Sequence, residues 1–242
     1  MSYFESRLKV NIKDFDELKR KLEFCKILGI KNLILEPTNI FEQIPQELKE
    51  KVNQITNINI YYRFNLKPIS LNDFKNRIKN FKYFPFILSV ESIDKEIQIN
   101  AARDSRVDII SFSDENILKT LTPGVISLTK QNNSFIEFSL APIMNINKAL
   151  QSKNFRNLYK FIQLALKLNA DYIISGNFDD LYDLRHPRSL LSICHSLLDI
   201  PLNEAKKGVI DNPKLLIERV QNRKKNNIID SGIKFIRRGE LK

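Results

Sequence analysis

The sequence predicts an α/β fold: a TIM-barrel-like (β/α) barrel with extra C-terminal helices. Three observations carry that expectation. Short runs rich in β-branched and aromatic residues alternate with longer stretches of helical spacing. The connections between them are short, and strands separated by helices run parallel. The 242-residue length suits a closed eightfold barrel. An open doubly wound sheet is the alternative, but the phosphate-binding GxGxxG is missing and the whole chain has only six glycines.

The elements follow in order. LKVNI (8–12) reads as a strand, followed by a helix in which Phe15, Leu18, Leu22, Cys25 and Leu28 recur every three or four residues. Asp14 suits its N-cap and Gly29 its end. NLILE (32–36) has the continuous apolar centre of a strand buried on both faces. PQELKEKVNQI (45–55) is a helix with Pro45 in its first turn. NIYYRFNL (59–66) is a strand, SLNDFKNRIKNF (70–81) a helix capped by Ser70, and FPFILSVES (84–92) a strand. DKEIQINAARDSR (94–106) is a helix, VDIISF (107–112) a strand and DENILKTL (114–121) a short helix. GVISLTKQ (124–131) and SFIEFSLAPI (134–143) read as strands, 147–169 as a long helix and ADYIISGN (170–177) as a strand. Eight or nine strands result. Two or three short helices follow. Residues 1–222 thus read as one barrel domain. Residues 223–242, with seven Lys or Arg, read as a basic tail that is at best partly ordered, with GIKFI a candidate edge strand.

No run of about 18 uncharged apolar residues occurs, so no transmembrane helix is expected. The N-terminus lacks the apolar core of a signal peptide. Cys25 and Cys194 lie far apart without a CxxC, which reads as a reduced protein of the cytoplasm. Lysine and arginine total 39 against 28 acids, a net +11. Such an excess repels itself unless a polyanion relieves it, and nucleic acid is the leading partner. A membrane surface is disfavoured, since no basic amphipathic helix with aromatic anchors stands out.

The chain has two histidines, His186 and His195, and neither HxH nor HExxH, so no metal is expected. Cys194 and His195 are sequence neighbours and point apart on a helix. Cys194 fits the apolar face with Leu190, Leu191, Leu197 and Leu198 instead. Glu36, Glu91, Asp108, Glu137 and the Asp179, Asp180, Asp183 group lie near strand ends, where paired acids can do acid–base work. Glu137, flanked by apolar residues in FIEFSL, fits a buried ion pair with a lysine or arginine better than catalysis. Anion binding is the stronger reading. Arg63 lies in the third strand, Arg103 and Arg106 near the end of the fourth helix, and Arg185 and Arg188 around His186 and Pro187. Proline presets a helix start, whose free N–H groups favour an anion that arginine forks can grip. Arg185 equally suits a pair with Asp179, Asp180 or Asp183.

At VDIISF, IEFSLAPI and ADYIISGNFDDLYDLRHPRSLLSIC the chain resembles archaeal ribonuclease P protein component 3, the counterpart of the eukaryotic thirty-kilodalton RNase P subunit. The matching residues are Ser175, Gly176, Asn177, Tyr182, Leu184, Arg185, Pro187 and Arg188. Upstream, Asn100, Ala101, Arg106, Val107 and Asp108 fit; downstream, NEAKKGVIDNPKLLIER does. The resemblance implies a barrel related to the metal-dependent PHP phosphoesterases and a non-catalytic subunit of the enzyme that removes 5′ leaders from precursor tRNA. It implies pairing with protein component 2 as a two-plus-two assembly, stabilisation of the RNase P RNA, and catalytic Mg2+ held by that RNA with no cofactor on this chain. Arg185, Arg188, Arg63, Arg103, Arg106, Lys206 and Lys207 are the expected RNA-binding residues. The alternative is a stand-alone metal-dependent barrel phosphoesterase.

Overall fold

A computed structural model describes residues 3–38, 44–81, 85–178, 180–224, 228–230 and 233–234. Seven parallel strands follow one another around a nearly closed barrel: β1 (Phe4–Val10), β2 (Asn32–Pro37), β3 (Asn59–Leu66), β4 (Ile87–Val90), β5 (Ile109–Phe112), β6 (Phe135–Ser139) and β7 (Tyr172–Ser175). Each pairs with the next in parallel register. The α/β barrel class is therefore as expected, with seven barrel strands among the described residues rather than the eight or nine read from the sequence. Among the described residues, no backbone ladder joins β7 back to β1.

Helices cover the outside: α1 (Phe15–Ile27), α2 (Gln46–Ile55), α3 (Leu71–Ile78), α4 (Lys95–Arg103), α5 (Glu115–Leu118), α6 (Pro123–Gln131) and α7 (Lys148–Lys167). Their starts follow the local chemistry. Asp14, Ser70, Asp94, Asp114, Thr122 and Asn147 each accept a backbone N–H of the first turn. Gly29 ends α1 at φ +69, a conformation glycine adopts without strain.

The main correction concerns 124–131. Its β-branched content reads as a strand, but it is helix α6, capped by Thr122 with Pro123 in the first turn. Val125, Ile126 and Thr129 are buried at three- and four-residue spacing, so tertiary packing outweighs β-propensity. Three smaller corrections follow. β1 begins at Phe4, not Leu8. Of the strand expected over 84–92, Ile87–Val90 is strand among the described residues, and Phe84 lies outside them. The end of 134–143 is a 3-10 turn, Ala141–Met144.

After β7 come α8 (Pro187–Ser196), α9 (Leu202–Lys206), one π-helical turn (Lys207–Asp211) and α10 (Asn212–Lys224). Gly208 in that turn sits against the Tyr172 ring, where a Cβ would lie 2.7 Å from the ring. A short antiparallel hairpin, β8 (Ile228–Asp230) and β9 (Ile233–Lys234), stands apart from the barrel sheet.

The barrel interior is layered. Strand side chains alternate between the inside and the helix layer. Ile34, Ile87, Ile109, Phe135 and Ile173, near the strand starts, form an apolar floor that Leu216 and Val220 of α10 close from below. One step further along the strands the interior turns polar, with Glu36, Arg63, Ser89, Ser111, Glu137 and Ser175.

Candidate functional site

The polar layer is a closed ion-pair network around two guanidinium groups. A bulge in β1 between Glu5 and Leu8 shifts the register at Arg7, and Arg7 is fully buried. Its Nε and Nη2 donate to both oxygens of Glu36 at 2.7 and 2.9 Å. Nη2 also reaches Glu91 at 2.9 Å, and Nη1 reaches Ser111 Oγ at 3.0 Å. Arg63 grips Glu137 with both fork nitrogens, at 2.7 and 2.6 Å, and donates from Nε to Ser89 Oγ at 2.8 Å. Ser111 donates to Glu137 at 2.7 Å. At the rim, exposed Lys67 pairs with Glu91 at 2.9 Å. Three cations thus face three carboxylates.

Electrostatics follow that geometry. Burial alone would raise the Glu137 pKa, but Arg63 and Arg7 overcome it and hold the carboxylate at about 2. For Glu91, burial is likewise overcome by Arg7 and Lys67, and the value falls to about 2. Arg63 is therefore corrected. It is not an RNA contact, because it is wholly buried and its fork is committed to Glu137. The expected buried ion pair of Glu137 is this one. Arg7 was missed, because it precedes the expected strand start at Leu8.

The seam between β7 and β1 is bridged by a side chain. Glu5 Oε1 accepts the backbone N–H groups of Gly176 at 3.0 Å and Arg7 at 3.1 Å. Gly176 permits this approach, since a Cβ there would lie 2.7 Å from Glu5 Oε2. Burial dominates at Glu5 and pushes its pKa from about 4.5 up to about 7. The folded state therefore holds this proton more tightly than the unfolded chain. That contribution is complete below about pH 4.5 and is lost as pH rises through about 7. We expect Glu5→Gln to flatten the stability decline between pH 5 and pH 8, a difference of about 3 kcal/mol. Urea unfolding at the two pH values checks this; an unchanged decline contradicts it.

The remaining expected residues divide between the two ends of the barrel. Arg185 and Arg188 follow β7, at the strand C-terminal end. Arg185 Nη1 donates to the carbonyls of Tyr182 and, at 3.1 Å, Leu184, so it pins its own loop. It bonds carbonyls rather than Asp180 or Asp183; Asp179 lies outside the described residues. His186 caps α8, accepting the Arg188 N–H on Nδ1 at 3.0 Å. Arg188 is exposed. Its Nε donates to the Tyr3 hydroxyl at 3.2 Å, and among the described residues its two terminal nitrogens have no partner. Arg103 and Arg106 lie at the opposite end. Arg103 is exposed at the last position of α4, and Arg106 pairs with Asp104 at 2.6 Å. Exposed Lys207 pairs with Glu204 at 2.6 Å, and Lys206 is half-buried. Most of the tail 223–242 lies outside the described residues.

The interior offers little to a cation. Glu36, Glu91 and Glu137 are already gripped by guanidinium groups, and Glu5 is held by backbone N–H groups. Of the two histidines, His186 caps α8 and His195 lies on it, with its Nδ1 at 2.9 Å from the Ile200 carbonyl. Among the described residues, no group of three or more His, Cys, Asp or Glu is placed to hold a metal ion. Cys25 and Cys194 are buried thiols that burial pushes up to about 12, packed in the core. No helix among the described residues is long and apolar enough to cross a membrane.

Comparison with known proteins agrees with this layout. The family model of RNase P subunit p30 matches residues 6–225. A relative named ribonuclease P protein component 3, from Methanococcus maripaludis (strain C5), is 23% identical over 166 residues, 68% of this chain and 71% of that protein. A chain in a cryo-EM structure of archaeal ribonuclease P with mature tRNA superposes with a TM-score of 0.74 at 16% identity, covering 99% of this chain and 100% of that one. The barrel is shared more widely. A. niger ochratoxinase superposes with a TM-score of 0.63 at 10% identity over 89% of this chain and 71% of that one.

Proposed function

The chain belongs to the RNase P subunit p30 family, and from that premise we propose how it acts within the ribonucleoprotein. It is a protein component of ribonuclease P, which processes the 5′ ends of tRNA with the chemistry carried by RNA. In this reading the chain binds and stabilises the catalytic RNA together with protein component 2, in a two-plus-two assembly. It meets precursor tRNA through the holoenzyme and works in the cytoplasm. The RNA subunit holds the Mg2+, and this chain carries no cofactor.

One observation carries the non-catalytic part. The barrel interior, which a metal-dependent hydrolase would line with free ligands, is filled by Arg7 and Arg63 bonded to Glu36, Glu91 and Glu137. The stand-alone phosphoesterase is therefore not favoured.

In this reading RNA contact rests on phosphates and shape, as expected for a basic protein. Arg188 is the strongest candidate at the C-terminal end of the barrel, because it is exposed and its terminal nitrogens have no partner among the described residues. Arg185 supports it by holding the loop. Arg103, Arg106, Lys206 and Lys207 supply positive charge at the other end, and the segment after residue 222 adds seven Lys or Arg. We expect Arg188→Ala to weaken binding to the RNase P RNA and reduce the slope of log affinity against log salt by roughly 0.7 to 0.9. A salt titration with the wild-type chain and the variant checks this. An unchanged slope would remove Arg188 from the interface.

A further inference from the structure

A cleft of about 320 Å³ opens beside the barrel floor, where the starts of β3 and β4 meet α2 and α10. Its walls are Tyr61, Tyr62 and Phe86, with Tyr62 and Phe86 edge to face at 5.9 Å between centroids. Lys49 Nζ stands over the Phe86 ring at 5.1 Å. The amides of Asn53, one helical turn beyond Lys49, and of Gln221 also line it, and no carboxylate is among its described lining residues.

We propose that this cleft takes an unpaired nucleobase of the RNA, with its phosphate toward Lys49. The inference rests on the RNA-binding reading above and adds a site to it. Aromatic walls suit a flat π-system, and base stacking on such rings is tolerant of sequence. Lys49 gives the lining a positive charge that suits a phosphate, and no acid is among its described residues. Asn53 and Gln221 each offer a donor and an acceptor, which match a base edge. An apolar side chain from a protein partner would instead bury the ammonium and both amides without partners, at a cost. The cleft also lies at the end of the barrel that carries Arg103 and Arg106.

The test uses the full chain with RNase P RNA and component 2. RNA containing 4-thiouridine is cross-linked with near-ultraviolet light, and the modified peptides are mapped. Cross-links on the peptides holding Tyr61 and Tyr62, or Phe86, are expected. Lys49→Gln and Tyr61→Leu should lower both that yield and RNA affinity, the latter by at least about fivefold for Tyr61→Leu. Lys49→Gln leaves the apolar floor intact, so its effect is separable from misfolding, which urea unfolding monitors. Wild-type RNA binding that is unaffected by both variants, with cross-links elsewhere, would overturn the cleft assignment and leave the subunit role standing. A component 2 peptide cross-linked into the cleft would also overturn it. No RNA binding by the wild-type assembly would sink both.

Discussion

Glu137→Ala is expected to destabilise the protein by about 3–5 kcal/mol, the cost of stripping the partner from a buried charge. Glu137 is fully buried and neutralises Arg63 through two bonds of 2.7 and 2.6 Å. Without it, the Arg63 guanidinium stays in the barrel interior facing only Ser89 and a longer 3.3 Å approach to Glu36. The double replacement Arg63→Met with Glu137→Leu removes both charges and fills the space with apolar atoms. It should cost far less than the sum of the single variants, because the two positions act as a unit. Urea unfolding of the three variants measures this. A loss below about 1 kcal/mol for Glu137→Ala would mean that water reaches the network and that the barrel is not closed around it.

Asp108→Ala is the second large effect, and it acts at the opposite end. Asp108 is fully buried and accepts the Leu88 N–H at 3.0 Å on one oxygen. On the other it holds Arg219 at 2.9 Å and Arg223, both from α10. Arg219 continues to the carbonyls of Asn132 and Asn133 at 2.7 Å and of Ser105 at 3.0 Å. This clasp seats Leu216 and Val220 under the barrel floor. Both arginines are about 20% exposed, so solvent moderates the loss, which we expect at about 2–3 kcal/mol. Amide hydrogen exchange should accelerate most along α10. Uniform exchange changes, or none, would show that apolar packing alone holds the helix. Because Ile217, Val220 and Gln221 line the aromatic cleft, loosening α10 should also lower cross-linking there.

The barrel was legible because the strands carry their own pattern. NLILE and YIIS are continuously buried runs, NIYYRFNL is buried at its centre over Tyr62–Phe64, and helices stand between them, an order that implies parallel pairing. The interior charges were half legible. Ile34 and Glu36, Tyr61 and Arg63, Phe135 and Glu137 each stand two apart, so one floor residue and one charged residue recur on the same face of three strands. That spacing signals a paired network and argues against solvent contact for Arg63. Arg7 escaped because the β1 bulge breaks the period on which such a reading depends. Segment 124–131 escaped because its β-branched residues serve a helix face as well as a strand.

The surface was harder to read. Arg103, Arg106, Arg185 and Arg188 look alike in sequence, yet the first two and the last two lie at opposite ends of the barrel. Arg185 binds its own loop, whereas Arg188 faces solvent. No local pattern separates them, because the difference lies in which carbonyls the turn before α8 presents. The aromatic cleft draws on α2, β3, β4 and α10, segments far apart in the chain that meet only once α10 crosses the floor.

The most direct test is reconstitution. The RNase P RNA and protein component 2 are mixed with and without this chain, and precursor-tRNA cleavage is followed at limiting magnesium. Cleavage that appears only when the chain is present, and that survives loss of any metal bound to the chain itself, is the predicted result. A folded chain that gives no stimulation would contradict the account.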